Sequence, residues 1–92
     1  MIASLNIPRR ALSVVALPDG VYAIGGYNGK DYLGTMERYD ILTDKWTLCA
    51  QMNYPRCTLA AVSSNDCQYI YVLGGFDGKF LNVVERYDLH RN

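Results

Sequence analysis

The sequence predicts an all-β protein built from a repeat of four short strands, and three observations lead to that prediction. A run of four apolar residues ends in a double glycine at residues 21–26, and the same pattern returns at residues 70–75. Each run is too short for a helix and rich in β-branched and aromatic side chains, as expected of a strand buried on both faces. The flanking segments also recur in the same order, which indicates an internal repeat of about 48 residues.

A Pro-Arg loop and an apolar strand precede each glycine strand. Proline fixes φ and disfavours a helix before it, so residues 7–10 and 54–57 are predicted to be connecting loops. Apolar strands follow at residues 11–17 and 58–64. The turn at residues 18–20 reads Pro-Asp-Gly, and the second copy has a longer polar turn at the same place.

A tight turn and a third strand follow each double glycine. The Asn-Gly and Asp-Gly pairs at residues 28–29 and 77–78 favour turns that need positive φ. Third strands are predicted at residues 36–40 and 84–88, and the first copy adds a fourth strand at residues 46–49. Four short strands in a repeat of this period predict the blades of a β-propeller rather than a helical solenoid.

Composition and charge narrow the possible functions. The formal net charge is zero, so there is no basic field that would attract nucleic acid. No apolar run approaches the roughly 18 residues that a membrane-spanning helix needs. Cys49, Cys57 and Cys67 are an odd number of cysteines with no close pair, which favours free thiols in a reducing compartment, the cytoplasm. A disulfide or a thiol switch is the alternative.

The repeated residues resemble the kelch repeat family over almost the whole chain. The likeness rests on the double glycines, the tyrosine of the third strand and the tryptophan of the fourth: Gly25, Gly26, Gly74, Gly75, Tyr39, Tyr87 and Trp46. The Glu-Arg-Tyr-Asp block looks most like the kelch-like subfamily. Its members usually join a propeller to a BTB domain and act as substrate adaptors of cullin ubiquitin ligases.

The resemblance implies kelch-type β-propeller blades that are four-stranded antiparallel sheets. In each blade the strand after Pro-Arg would be innermost and the tryptophan strand outermost. Tyr39 and Trp46 would pack between blades, with Tyr87 as the second copy of the first, and Arg38 and Arg86 would pair within or between blades. We expect these residues to be structural, since large aromatic side chains bury much area.

The repeat divides the chain into three segments and predicts a partial propeller of about two blades. Residues 1–6 would be the tail of a preceding blade's outer strand, residues 7–53 the first repeat, and residues 54–92 a second repeat without its outer strand. At least about three repeats are usually needed for stability, so this division suggests a piece of a longer protein. Self-association, with the leading tail of one copy completing the open second blade of another, is the alternative.

Two sets of loops are the candidate partner-binding surface. The resemblance implies contacts from the residues after each double glycine, before each loop leucine and after each loop arginine: Tyr27, Phe76, Tyr32, Phe80, Arg10 and Cys57. Tyrosine and arginine are frequent in interface hot spots, and Arg10 can pair bidentately with an acidic peptide. The alternative is that Phe76 and Phe80 only cover the ends of the strands.

These observations favour a protein–protein interaction module without catalytic activity. The chain has one histidine, His90, and no His or Cys spacing typical of a metal site, so neither a metal nor another cofactor is predicted. The predicted partner is a peptide segment of another protein, and the parent is predicted to be a ubiquitin-ligase substrate adaptor. The alternatives are a cytoskeletal kelch protein that binds actin and a kelch-fold copper oxidase, for which one histidine is too few ligands.

Overall fold

In a computed structural model, residues 3–49 and 51–89 are described, and they form two antiparallel sheets. The strands of the first sheet are β1 (Ser13–Leu17), β2 (Gly20–Ile24), β3 (Met36–Asp40) and β4 (Lys45–Leu48). Those of the second sheet are β5 (Ala60–Ser63), β6 (Tyr69–Leu73) and β7 (Val84–Asp88). In both sheets, strands adjacent in sequence are hydrogen-bonded neighbours, so the predicted all-β fold of about two antiparallel blade-like sheets is confirmed.

The two sheets pair their strands in the same register. Val15 of β1 lies opposite Tyr22 of β2, and the corresponding Val62 of β5 lies opposite Tyr71 of β6. Because side chains alternate between the two faces of a sheet, an identical register places equivalent residues of the two repeats on equivalent faces. The register therefore identifies, for each side chain of one repeat, the equivalent side chain of the other repeat.

Both innermost strands begin two residues later than the sequence predicted. Ala11 and Thr58 have positive φ angles of 54° and 52°, which turn the chain before it can enter a strand. At this turn the Thr58 N–H donates to the carbonyl oxygen of Ala11 over 2.7 Å and joins the two repeats. Strands β1 and β5 also pack against each other, as expected if they lie nearest the point where the sheets converge.

The hydrophobic core lies between the two sheets. Its buried residues come from the facing sides of both repeats: Val15, Tyr22, Ile24, Met36, Met52, Leu59, Ile70 and Val72. Leu17, Tyr87 and Leu89 are partly buried against this cluster. Neither sheet could bury these side chains by itself, so the hydrophobic effect holds the two repeats together.

The prediction that both glycine strands are buried on both faces is correct for β2 and wrong for β6. Ala23 and Ile24 are buried on opposite faces of β2, which has the core on one side and the segment of residues 3–9 on the other. In β6, Val72 is buried against the core, whereas Leu73 on the opposite face is exposed. No described residue covers Leu73 on that second face of β6, so this face is accessible to solvent.

The structure places the three aromatic motif residues in two different environments. The rings of Tyr39 and Trp46 lie 5.2 Å apart on one sheet, and the Tyr39 hydroxyl donates to Asp44 over 2.7 Å. The indole Nε1 of Trp46 donates to the carbonyl oxygen of Ala3 over 3.0 Å, so this pair contacts the leading segment. Tyr87 instead packs against the core between the sheets. Residues 1 and 2 of the predicted tail lie outside the described residues, as does His90.

Candidate functional site

A buried ion pair holds the end of the first glycine strand to the loop before it. Nη1 of Arg9 donates to the carbonyl oxygens of Gly25 and Thr35 over 2.9 and 2.8 Å. Nη2 lies 2.9 Å from Oε2 of Glu37, and both side chains are fully buried. The other carboxylate oxygen of Glu37 accepts the backbone N–H of Asn6 over 2.7 Å. The position of the loop is therefore set by a fully desolvated and well-bonded charge pair.

The second repeat contains the same arrangement. Arg56 donates to the carbonyl oxygens of Gly74 and Val83 over 2.7 and 3.0 Å and forms an ion pair with Glu85. Glu85 also accepts the backbone N–H of Asn53 over 2.7 Å. Each Pro-Arg loop is thus bound to the strand ends that carry the glycine turn, which makes the two loop sets rigid relative to the sheets.

These pairs were not predicted from the sequence, which suggested pairing by Arg38 and Arg86. In the structure Arg38 donates to the carbonyl oxygen of Asp19 over 2.9 Å, and the guanidinium of Arg86 lies 4.3 Å from the ring centroid of Tyr69. Alternation along β3 puts Glu37 on the face opposite Arg38, so neighbouring residues cannot share a partner. The usable signal was the recurrence of a glutamate at the second position of the third-strand segment after each Pro-Arg pair, as Glu37 and Glu85.

Close backbone approach joins each Pro-Arg loop to its glycine turn. A Cβ at Gly26, where φ is 111°, would lie 2.8 Å from the carbonyl oxygen of Arg10, so only glycine permits the contact. Arg10 and Tyr27 then exchange two backbone hydrogen bonds of 3.0 and 2.9 Å. Cys57 and Phe76 exchange two equivalent bonds, each of 2.9 Å. The side chains of these loops are therefore presented side by side.

Five of the six predicted partner-binding residues form one continuous array, which we call the loop row: Arg10, Tyr27, Tyr32, Phe76 and Phe80. The guanidinium carbon of Arg10 lies 5.2 Å from the ring centroid of Tyr27, and that ring lies 5.0 Å from Tyr32. Tyr32 lies 6.0 Å from Phe76, which lies 5.2 Å from Phe80. The contact between Tyr32 and Phe76 crosses from one repeat to the other, so the loop row exists only when both sheets are packed together.

The two ends of the loop row are its most accessible parts. Phe80 is 89% exposed and Arg10 is also exposed, whereas the three rings between them are half-buried. The ion pairs among residues 3–49 and 51–89 are those of Arg9 and Arg56. The Arg10 guanidinium therefore forms no ion pair within this part of the chain, and it lies over the Tyr27 ring. The row thus has a cationic end and an apolar end.

The middle of the loop row is neutral. Desolvation raises the pKa of the Tyr32 hydroxyl above its ordinary value, and the nearby groups of Cys57, Tyr27 and Asp77 raise it further. The hydroxyl therefore stays protonated at neutral pH and can donate a hydrogen bond. Asp77 was not predicted as a site residue, yet one of its carboxylate oxygens is buried next to this ring without a hydrogen-bond partner.

Cys57 lies beneath the loop row rather than in it. It is buried, and the Thr58 hydroxyl donates to its sulfur over 3.5 Å. Its side chain consequently offers little surface to a partner, and its backbone instead positions Phe76. Cys49, Cys57 and Cys67 are all free thiols in the structure.

Two further properties concern the described part of the chain only. Its His, Cys, Asp and Glu side chains form no group of three or more that could hold a metal ion. It contains no helix with the length and apolar character required to cross a membrane.

Comparisons with known proteins agree with the repeat seen in the structure. The family model described as Kelch motif matches residues 8–53 and again residues 55–92. Kelch-like protein 4 from Homo sapiens is 40% identical over 61 residues, which is 66% of this chain and 8% of the relative. Kelch-like protein 7 from Rattus norvegicus is 37% identical over 79 residues, or 84% of this chain and 13% of the relative.

A relative with a different kind of name matches equally well. The influenza virus NS1A-binding protein homolog from Xenopus laevis is 35% identical over 78 residues, which is 85% of this chain and 12% of the relative. The chain thus spans about a tenth of the length of the curated relatives that it matches. With its two matched repeats and its sheets of four and three strands, the chain belongs to the Kelch motif family, as the repeat predicted, and is a protein-interaction module.

Proposed function

We propose that the loop row binds an extended peptide segment of a partner protein that carries an acidic residue followed or preceded by aromatic or aliphatic residues. The observation that supports this most directly is the continuous path of contacts across both repeats from Arg10, which forms no ion pair with a described residue, to the exposed Phe80. The activity is binding and not catalysis, in keeping with the interaction role of kelch repeats.

The chemistry of the loop row favours this class of peptide. An exposed guanidinium without a carboxylate partner can form a bidentate pair with Asp or Glu, and arginine suits this geometry better than lysine. Phe80 is a large apolar side chain that becomes buried only when a partner covers it. Aromatic and arginine side chains carry most of the binding energy in many interfaces.

The proposed role in the cell is that of a substrate adaptor for a cullin-type ubiquitin ligase in the cytoplasm. Support comes from relatives whose names join kelch repeats to other domains. One is the Kelch repeat and BTB domain-containing protein 2 of cowpox virus, 38% identical over 72 residues. Another is a RING finger domain and kelch repeat-containing protein of Dictyostelium discoideum, 31% identical over 71 residues. A cytoskeletal, actin-binding parent is the second candidate, and co-purification of the full gene product with a cullin or with actin distinguishes the two.

The peptide-binding proposal can be tested with an arrayed library of synthetic peptides of equal length. Half of the peptides contain Asp or Glu near a large apolar residue, and the other half contain Asn or Gln in its place. We expect the wild-type chain to retain the acidic half. Arg10→Ala should weaken those peptides about tenfold, the equivalent of about 1.4 kcal/mol, without a change in the far-UV circular dichroism spectrum.

Two control variants make the result specific. Lys30→Ala removes a cation of the neighbouring turn that is not part of the loop row, and it should leave the affinity unchanged. Phe80→Ala should weaken both halves of the library, because it removes apolar contact rather than charge. Equal retention of acidic and amide peptides, or an Arg10→Ala variant that binds as the wild type does, would contradict the proposal.

A further inference from the structure

The outer face of the second sheet reproduces the core face of the first. The residues of the first sheet that pack on the second are Val15, Tyr22, Ile24 and Met36. Repeat and register make Val62, Tyr71, Leu73 and Val84 their counterparts in the second sheet. The first set is buried, whereas Val62, Leu73 and Val84 are 53%, 40% and 59% exposed. We call this exposed set the trailing face.

The opposite side of the first sheet carries a matching face. The segment of residues 3–9 lies on Glu37 of this face, as Asn53 and Tyr54 lie on Glu85 in the second sheet, and leaves other apolar residues exposed. In the second sheet, Ala61 and Leu89 pack against the core through the side turned toward the first sheet. Their counterparts in the first sheet are Val14 and Ile41, which are 58% and 80% exposed. This set, which we call the leading face, is equivalent to the surface that already docks on a trailing face within the chain.

The main-chain groups that form hydrogen bonds between the two repeats recur at the trailing face and at the leading face. Arg56 donates its N–H to Leu33 over 3.1 Å and accepts from Gly26 over 2.9 Å, and both residues lie in the loop of the first repeat. In a contact between two copies, Arg9 of one copy would take the place of Arg56. Leu81 and Gly75 of the other copy would take the places of Leu33 and Gly26. The two free faces therefore match in hydrogen bonding as well as in apolar surface.

The charge on the trailing face does not oppose docking. Arg86 is its cation, and the equivalent residue of the first sheet is Arg38. Arg38 tolerates the observed contact between the sheets because its guanidinium donates to the backbone carbonyl of Asp19 over 2.9 Å. A guanidinium at this place is thus compatible with a neighbouring sheet.

We propose that the chain associates with copies of itself head to tail, the leading face of one copy covering the trailing face of the next. Such an interface is heterologous, because each copy contacts one neighbour through its leading face and another through its trailing face. The assembly closes into a ring only when the rotation from one copy to the next permits it. Propellers close at about four to eight blades, so a ring with two sheets per copy would contain about two to four copies. The proposal uses surfaces other than the loop row and does not depend on the peptide it binds.

The test is the mass in solution of two matched variants, measured by light scattering after size-exclusion chromatography. Val62→Asp places a carboxylate on the trailing face, and Val14→Asp places one on the leading face. Both positions are exposed, so neither variant creates a cavity in the core. Lys30→Asp, in an exposed turn away from both faces, is the control for an added carboxylate.

We expect the wild type and Lys30→Asp to form one discrete oligomer, and each valine variant to be a monomer. A one-to-one mixture of the valine variants should give a dimer and nothing larger, because one intact leading face meets one intact trailing face. Recovery of the dimer also shows that both variants are folded. A folded wild-type monomer, or a mixture that stays monomeric while the wild type assembles, would overturn the proposal.

Discussion

Replacing Glu37 by alanine removes the partner of a fully buried arginine. In the wild type, Glu37 binds Arg9 over 2.9 Å and accepts the backbone N–H groups of Asn6 and Ile7 over 2.7 and 3.2 Å. Breaking a buried ion pair from one side costs about 3–5 kcal/mol, because the remaining charge stays desolvated. A small domain has only about 5–15 kcal/mol of stability, so Glu37→Ala should lose a large part of it.

The assay is urea unfolding followed by far-UV circular dichroism at one fixed protein concentration, since association would otherwise change the apparent stability. With a slope of about 1–3 kcal/mol per molar urea, the midpoint should fall by about 2 M. Lys45→Ala, an exposed position on β4, is the control and should stay within about 0.5 kcal/mol of the wild type. Glu37→Gln keeps the shape and one acceptor oxygen, so it should lose less. A Glu37→Ala midpoint equal to that of Lys45→Ala would refute the reasoning.

Three further substitutions test other contacts. The Tyr39 hydroxyl and a backbone N–H hold the pKa of Asp44 below its ordinary value, so the carboxylate stabilises the fold at neutral pH and this contribution disappears as the pH falls through the folded-state pKa. Asp44→Asn should therefore lower the Tm at neutral pH but not at a pH below the folded-state pKa, and an equal loss at both would contradict this. Gly26→Ala should lower the free energy of unfolding in urea by about 1–3 kcal/mol. Gly29→Ala should cost less, because Gly29 also has positive φ but no atom lies within 4 Å of the added Cβ. Equal costs would rule out the clash at Gly26. Trp46→Phe loses an indole hydrogen bond and should cost about 0.5–1.5 kcal/mol, and an unchanged midpoint would show that bond to be dispensable.

The predicted strands agree with the structure to within two residues because local signals specify them. The double glycines end β2 and β6, and the recurring segments at residues 36–40 and 84–88 match β3 and β7 without any shift. The starts of β1 and β5 were misplaced because Ala11 and Thr58 adopt positive φ. Neither residue type favours that conformation, so it is imposed by packing between the repeats and carries no sequence signal.

The loop row was predicted residue by residue, but its continuity was not. The resemblance to kelch-like proteins implied Tyr32 and Phe76 separately, whereas their contact depends on how one sheet is placed against the other. The burial of Cys57 also depends on this placement. A residue next to a loop arginine is expected to be exposed, and Cys57 is buried because the second repeat packs on the first.

By itself the sequence determined the number, the order and the approximate bounds of the strands, because glycine turns, short apolar runs and the internal repeat can be read from the chain itself. Their register came from the structure. Only the tertiary structure decided which charges pair and which apolar faces are buried. Arg9 and Glu37 are distant in sequence and meet because the first Pro-Arg loop packs on strand β3. Leu73 and Ile24 are equivalent in the repeat, yet one is exposed and the other buried, since burial depends on the neighbouring sheet and not on the residue.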